Sequence, residues 1–238
     1  ILIYPSSLFG QMIDLGQAKI ISLEKQDPLV LNAINILQEE ISKRSNITLT
    51  KGSKFQNRSQ RAIVIGLENG LDKFPLEYRQ FLATMPEIKA EGYKIAVVPK
   101  KNVVIVVGND SRGVLYGVGK LLRKLELSQG HILLPSDLNI ASSPTYPIRG
   151  HQLGYRPKTN SYDAFSVEQF DDYIRDLAIF GANSIEIMPP RTDDDFTSIH
   201  MKLPAIEMIV EQSKICDKYG MDVWMWYPNL GSDYTSPD

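Results

Sequence analysis

Residues 146–153 read Tyr146-Pro147-Ile148-Arg149-Gly150-His151-Gln152-Leu153, and the series they open decides the architecture of the second half of the chain. The run reads as a β-strand. Ser166 then caps a helix carrying Val167, Phe170, Ile174, Leu177 and Ala178 at helical spacing, and Gly181 ends it. Glu168, two residues past the cap, reads as a favourable first-turn charge and not as half of a capping box. A second strand follows at Asn183-Ser184-Ile185-Glu186-Ile187-Met188, then a helix from about Pro204 to Tyr219 that stops at Gly220. The third strand is Asp222-Val223-Trp224-Met225-Trp226-Tyr227. This β-α-β-α-β order needs parallel strands and right-handed crossovers, as in a doubly wound sheet or a (β/α) barrel. A whole barrel takes about 250 residues. Only roughly ninety follow residue 147, so the expectation is an incomplete TIM barrel, its first three strands, truncated within residues 141–238.

Working back towards the start, residues 1–140 read as a separate α+β domain of sheet and helices, giving an α/β chain overall. Residues 18–23 and 61–66 are apolar strands, and 47–50 is a short one. Asp27-Pro28 opens a helix, with Asp as the cap and Pro in the first turn, running to about Lys43. The β-branched runs 93–98 and 103–107, joined by Lys100-Lys101-Asn102, read as a hairpin. Asp110-Ser111-Arg112-Gly113 starts a helix whose glycines at 113, 117 and 119 permit close packing on a sheet. The same glycines invite a phosphate-cradle reading, but the spacing fits neither G-x-G-x-x-G nor a P-loop. Capping and packing is the favoured reading. His131-Ile132-Leu133-Leu134 is a further strand, and 136–147 reads as a linker.

Composition narrows the function. The 238 residues are 43% hydrophobic and 23% charged with a net charge of −2, ordinary for a folded globular chain and without a basic surface for nucleic acid or anionic lipid. No apolar run approaches the length of a membrane span. The single cysteine, Cys216, excludes an internal disulfide and a cysteine-based zinc site, and it reads as a buried thiol at a helix end. The chain begins with Ile1, which fits either a removed signal peptide, hence a secreted or periplasmic protein, or a cytoplasmic one. Three Asn-x-Ser/Thr triplets, at Asn46, Asn57 and Asn109, are too common by chance to weigh.

In parallel α/β folds ligands meet the C-terminal ends of the strands. That rule selects His151, Gln152, Tyr155 and Arg156 after the first strand, Glu186 and 188–190 at the second, and Trp224, Trp226, Tyr227 and Asn229 at the third. Aromatic faces beside carboxylate, amide and guanidinium groups suit a sugar, whose ring has apolar faces and a rim of hydroxyls. Alternation puts Trp224 and Trp226 on one strand face; if that face is interior, Trp226 meets the substrate and Trp224 lies deeper. Asp193, Asp194 and Asp195 read as a solvated loop, His200 as a surface residue in it and His131 as structural. No metal site, cofactor motif or Ser-His-Asp order is visible.

The stretches Gly92-Tyr93-Lys94-Ile95 and 109–117, with Asn109-Asp110-Ser111-Arg112-Gly113-Val114-Leu115-Tyr116-Gly117, resemble the second domain of β-N-acetylhexosaminidases of glycoside hydrolase family 20. A similar domain precedes the barrels of α-glucuronidases and O-GlcNAcase-type enzymes, and Tyr146-Pro147-Ile148-Arg149-Gly150 resembles the first barrel strand. The resemblance runs from about residue 15 onward. It implies that Arg149 holds hydroxyls of a terminal sugar and that the catalytic carboxylates lie beyond Asp238, with none in this chain. Residues 151–156 depart from the family-20 pattern. The reading is the N-terminal portion of an exo-acting glycoside hydrolase, hexosaminidase- or glucuronidase-like, with a non-catalytic carbohydrate-binding or scaffold protein as the alternative. Its substrate-binding candidates are Arg149, His151, Tyr155, Glu186, Trp226 and Asn229.

Overall fold

The computed structural model describes residues 11–22, 27–54, 60–98, 101–153, 165–187 and 202–225. The chain divides into two compact units, the first of Ile1–Pro147 with Ile179–Gly181 and the second of Ile148–Ala178 with Ala182–Asp238.

The first unit is built on a mixed sheet of six strands. Strands β2 (Lys19–Ser22), β3 (Thr50–Gly52), β4 (Ala62–Leu67), β6 (Val103–Gly108) and β9 (Asn139–Ser142) run in one direction and β5 (Tyr93–Val97) runs against them, between β6 and β9, in the order β3-β2-β4-β6-β5-β9. Every residue of β6 is buried, as expected of a central strand covered on both faces. One face packs Ile21, Val64, Ile105 and Val107 against Phe74, Tyr78 and Leu82 of the segment holding a 3-10 helix, Glu68–Lys73, and helix α2, Leu76–Ala83. The alternate residues, among them Ile63, Ile65, Ile95, Val104 and Val106, are equally buried on the other face, with helices α1 (Pro28–Ser45) and α3 (Ser111–Leu122). A smaller antiparallel sheet, β1 (Met12–Asp14), β8 (His131–Pro135) and β7 (Glu126–Ser128), completes the unit.

Local chemistry sets these boundaries. Asp27 caps α1, its carboxylate accepting from the N–H groups of Leu29 and Val30, and it also accepts from the Ser111 hydroxyl at the start of α3. Asp110 caps α3 through Gly113 N and accepts from Glu91 N through its other oxygen. The glycines of α3 serve packing. A β-carbon at Gly113 would run into the Gly92 carbonyl, and one at Gly117 would come 2.8 Å from Val106 Cγ1. Capping and close packing, the reading favoured from the sequence, are what this stretch shows.

Three expectations shift. The short strand expected at 47–50 begins at Thr50, because Thr48 is tied to Ser42 and the Leu49 carbonyl to Gln38 of α1. The expected linker contains β9, whose Ile140 is the register partner of Ile95. The strand expected from Tyr146 begins at Gly150, the first main-chain pairing there being made by Arg149.

The second unit holds β10 (Gly150–Gln152), β11 (Ser184–Ile187) and β12 (Asp222–Met225), parallel and adjacent in that order, with helices α4 (Val167–Ile179) and α5 (Ala205–Lys218) in the crossovers. Here β-α-β-α-β is realised as read. Ser166 and Gln169 form a reciprocal capping box, Gln169 N donating to Ser166 Oγ and Ser166 N to Gln169 Oε1. Glu168 is not half of this box, as read from the sequence; the partner is Gln169, at the third position. Gly181 and Gly220, both at positive φ, follow the two helices. Phe170, Ile174 and Ala178 of α4, and Met208, Ile215 and Cys216 of α5, are buried.

Candidate functional site

Parallel pairing fixes which residues share a face. Gln152, Glu186 and Trp224 are register partners across the three strands, and so are Ser184 with Gly150 and with Asp222. These two rows point to one side of the sheet. His151, Ile185 and Val223 form the intervening row and point to the other, because strand side chains alternate. On that other side Ile185 and Ile187 are buried, and His151 Nε2 lies 2.6 Å from the hydroxyl of Tyr173 in α4. The helices therefore cover the Ile185 side. Among the described residues the Gln152–Glu186–Trp224 side carries no helix, and Trp224 is 54% exposed there.

A cavity of about 560 Å³ lies on this side, lined by Ile148, Gly150, His151, Gln152, Ser184, Glu186, Trp224 and Met225. Its floor is the sheet itself. The lining combines a flat indole, a carboxylate, a carboxamide and a hydroxyl within two strand rows. Half-buried Glu186 accepts from Leu153 N through its main-chain carbonyl, and its carboxylate makes no hydrogen bond or ion pair with another described residue. Such a set binds polyhydroxylated rings: the indole takes an apolar ring face, and the polar groups take hydroxyls.

The expected site residues separate accordingly. Glu186 lies in the row, beside Trp224, which the sequence placed on its strand but deeper than the substrate. His151 also lines the cavity, but its ring is turned towards Tyr173 and its Nε2 is paired with the Tyr173 hydroxyl. Arg149 stands where the strands begin, one residue before β10 and half-buried, its main chain paired both ways with Asn183. Asn183 also accepts from Asp222 N, so this one residue aligns the starts of all three strands. Tyr155, Trp226 and Asn229 lie outside the described residues, as do Asp193, Asp194, Asp195 and His200. Gln152 and Ser184 complete the polar lining; the alternation that pairs them with Glu186 was the available signal for them. Among the described residues no group of acidic, histidine or cysteine side chains could hold a metal ion, and no helix is long and apolar enough to cross a membrane. Cys216 is buried, and burial pushes its thiol up to about 12, which makes it a core residue and no nucleophile.

Comparison with known proteins agrees with this architecture. Residues 16–121 match the family model described as the glycosyl hydrolase family 67 N-terminus. No curated protein matches the chain. Among solved structures, the family-84 protein CpGH84B superposes with a TM-score of 0.62 at 17% identity, over 94% of this chain and 36% of its own. The GH20 exo-β-N-acetylglucosaminidase of Vibrio harveyi in complex with N-acetylglucosamine gives 0.58 at 16% identity, over 92% of this chain and 34% of that one. The GH20 β-N-acetylhexosaminidase of Streptomyces coelicolor A3(2) gives 0.62 at 15%, over 91% and 43%. The chain thus spans between about a third and two fifths of the length of these relatives. By sequence in its first unit, and by fold along nearly its whole length, it is similar to glycoside hydrolases with an N-terminal domain of this kind.

Proposed function

We propose that this chain is the N-terminal portion of a glycoside hydrolase that removes a terminal sugar, hexosaminidase- or glucuronidase-like, with β10, β11 and β12 as the first strands of a (β/α) barrel. The observation that carries this reading is the row Gln152, Glu186 and Trp224, aligned on the side of the sheet without helices and facing a sugar-sized cavity. In a barrel that side is the interior, and ligands reach it from the C-terminal ends of the strands. The match of residues 16–121 to a glycosyl hydrolase N-terminal domain supports the same assignment.

In this reading the chain supplies one wall of the sugar pocket. Trp224 flanks the ring, and Glu186 and Gln152 take its hydroxyls. Arg149 contributes hydroxyl contacts as the family resemblance implies. Glycosidases of this kind protonate the leaving oxygen with one carboxylic acid and stabilise the sugar cation with a second group. Both groups come from strands beyond Asp238. The test is a panel of chromogenic aryl glycosides offered to the full-length protein and to the 238-residue chain alone. Turnover of a β-N-acetylhexosaminide or a glucuronide by the full-length protein, and none by the chain, is expected. Failure of the full-length protein on the whole panel, or activity in the short chain, would overturn the reading.

A further inference from the structure

Two kinds of terminal sugar fit the proposed hydrolase, and they differ in charge. An N-acetylhexosamine carries none, whereas a glucuronic acid carries a carboxylate. The match of residues 16–121 to a family-67 N-terminus lies outside the cavity and does not bear on the choice. The lining of the cavity does.

Glu186 is the carboxylate of that lining, and among the described residues no lysine or arginine lines the cavity with it. Its register partners, Gln152 on β10 and Trp224 on β12, are neutral. In the row below, Asp222 stands on the same face and has the same sign. His151, also in the lining, has its Nε2 2.6 Å from the Tyr173 hydroxyl and its ring turned that way. Arg149 stands before β10, three positions from Gln152 and so about 10 Å away along the strand.

Ile148, Trp224 and Met225 make much of the remaining lining apolar. A charge acts more strongly beside such surface than in open water. A sugar hydroxyl donates to the Glu186 carboxylate. A sugar carboxylate has no proton to donate, meets a like charge, and gives up water without gaining a counter-ion.

We propose that Glu186 sets the charge preference of the site, admitting neutral terminal sugars and rejecting uronic acids. This rests on the reading of the cavity as a carbohydrate site and deepens it. Discrimination needs an unfavourable contact with the wrong ligand as well as a favourable one with the right ligand. One carboxylate supplies both, accepting from the hydroxyls of a neutral ring and repelling an anionic one.

Calorimetric titration of the full-length protein with two matched pairs tests the assignment: glucose with glucuronic acid, and N-acetylglucosamine with N-acetylglucosaminuronic acid. Within each pair the rings differ only by oxidation at C6, so the ratio of the two affinities isolates the charge. Wild type is expected to bind the neutral member at least about tenfold more tightly. Glu186→Gln keeps the shape and removes the charge, and its ratio should fall to within about threefold, whatever both affinities lose. Trp224→Ala should weaken both members together and keep the ratio near that of wild type. If wild type binds the uronic acid as tightly as its neutral partner, or if the ratio survives Glu186→Gln, the role of Glu186 is overturned while the carbohydrate reading stands. If wild type binds none of the four sugars, the carbohydrate reading falls and this inference falls with it.

Discussion

Glu186 and Trp224 are register partners on adjacent parallel strands, side by side on the face of the second sheet that carries no helix among the described residues. Their neighbours in the strands, Ile185 and Val223, take the opposite face, where burial of Ile185 holds the sheet to its helices. An exposed indole is costly to leave in water, and removing apolar surface from water is worth roughly 25 cal/mol per Å². A sugar ring lying against Trp224 recovers part of that, while Glu186 supplies direction. The pairing follows from the register alone, which is why it survives any rearrangement of the loops.

Within the first unit, Lys94 is 6% exposed and its ammonium sits 3.1 Å from Glu68, which also accepts from Asn109. Removing the carboxylate strands a buried charge. Glu68→Ala should therefore cost about 3 kcal/mol, and adding Lys94→Met to it should restore most of the loss, since an apolar isostere needs no partner. Urea denaturation of the three proteins measures both steps; an undiminished stability in Glu68→Ala would show the pair to be solvated.

For α4, the capping box makes a defined expectation. Ser166→Ala removes the acceptor of Gln169 N and should destabilise the second unit by about 1 kcal/mol. Gln169→Ala should cost less, and the double variant less than the sum, because the two bonds are reciprocal. Thermal denaturation followed by circular dichroism reads all three.

At alkaline pH the second unit should weaken first. Burial pushes the Cys216 thiol up to about 12 from 9.0. Burial, with the Asp171 carboxylate adding to it, raises the Tyr219 phenol to about 12 from 10.0, while neighbouring Lys218 opposes the shift. Raised values mean that the folded state holds these protons more tightly than the unfolded one. Their contribution is constant below pH 9, where both states are protonated, and is lost as the pH rises from 9 towards 12. Stability measured at pH 8, 9.5 and 11 should fall only over the last two points, and Cys216→Ala should flatten the decline. In the native protein at pH 8, Cys216 should react with a thiol reagent no faster than the chain unfolds.

Much of this architecture was written in local chemistry. Asp27-Pro28 and Asp110 announced two helices, and the β-branched runs on either side of Asn102 announced the hairpin of β5 and β6. What escaped depended on distant partners. The pieces β1, β7 and β9 are three or four residues long, and their identity comes from pairing with β8 and β5 rather than from their own composition. Segment 68–83 carries Phe74, Tyr78 and Leu82 at four-residue spacing, but Gly70 and Pro75 divide it into a 3-10 helix and a short α-helix, too short for its period to stand out in the sequence. At the site, alternation told which residues share a face but not which face carries helices. Only the burial of Ile185 and Ile187, and the bond between His151 and Tyr173, showed which face meets the helices.

The central claim is that the face bearing Glu186 and Trp224 binds a sugar, and affinity measured on variants of those two residues tests it most directly. In the full-length protein, Glu186→Ala and Trp224→Ala should each lower the affinity for the bound monosaccharide by about tenfold or more, with melting temperatures within a few degrees of wild type. His151→Ala, which acts on the opposite face, should lower stability and leave affinity within about twofold. Wild-type affinity in both Glu186→Ala and Trp224→Ala would contradict the account.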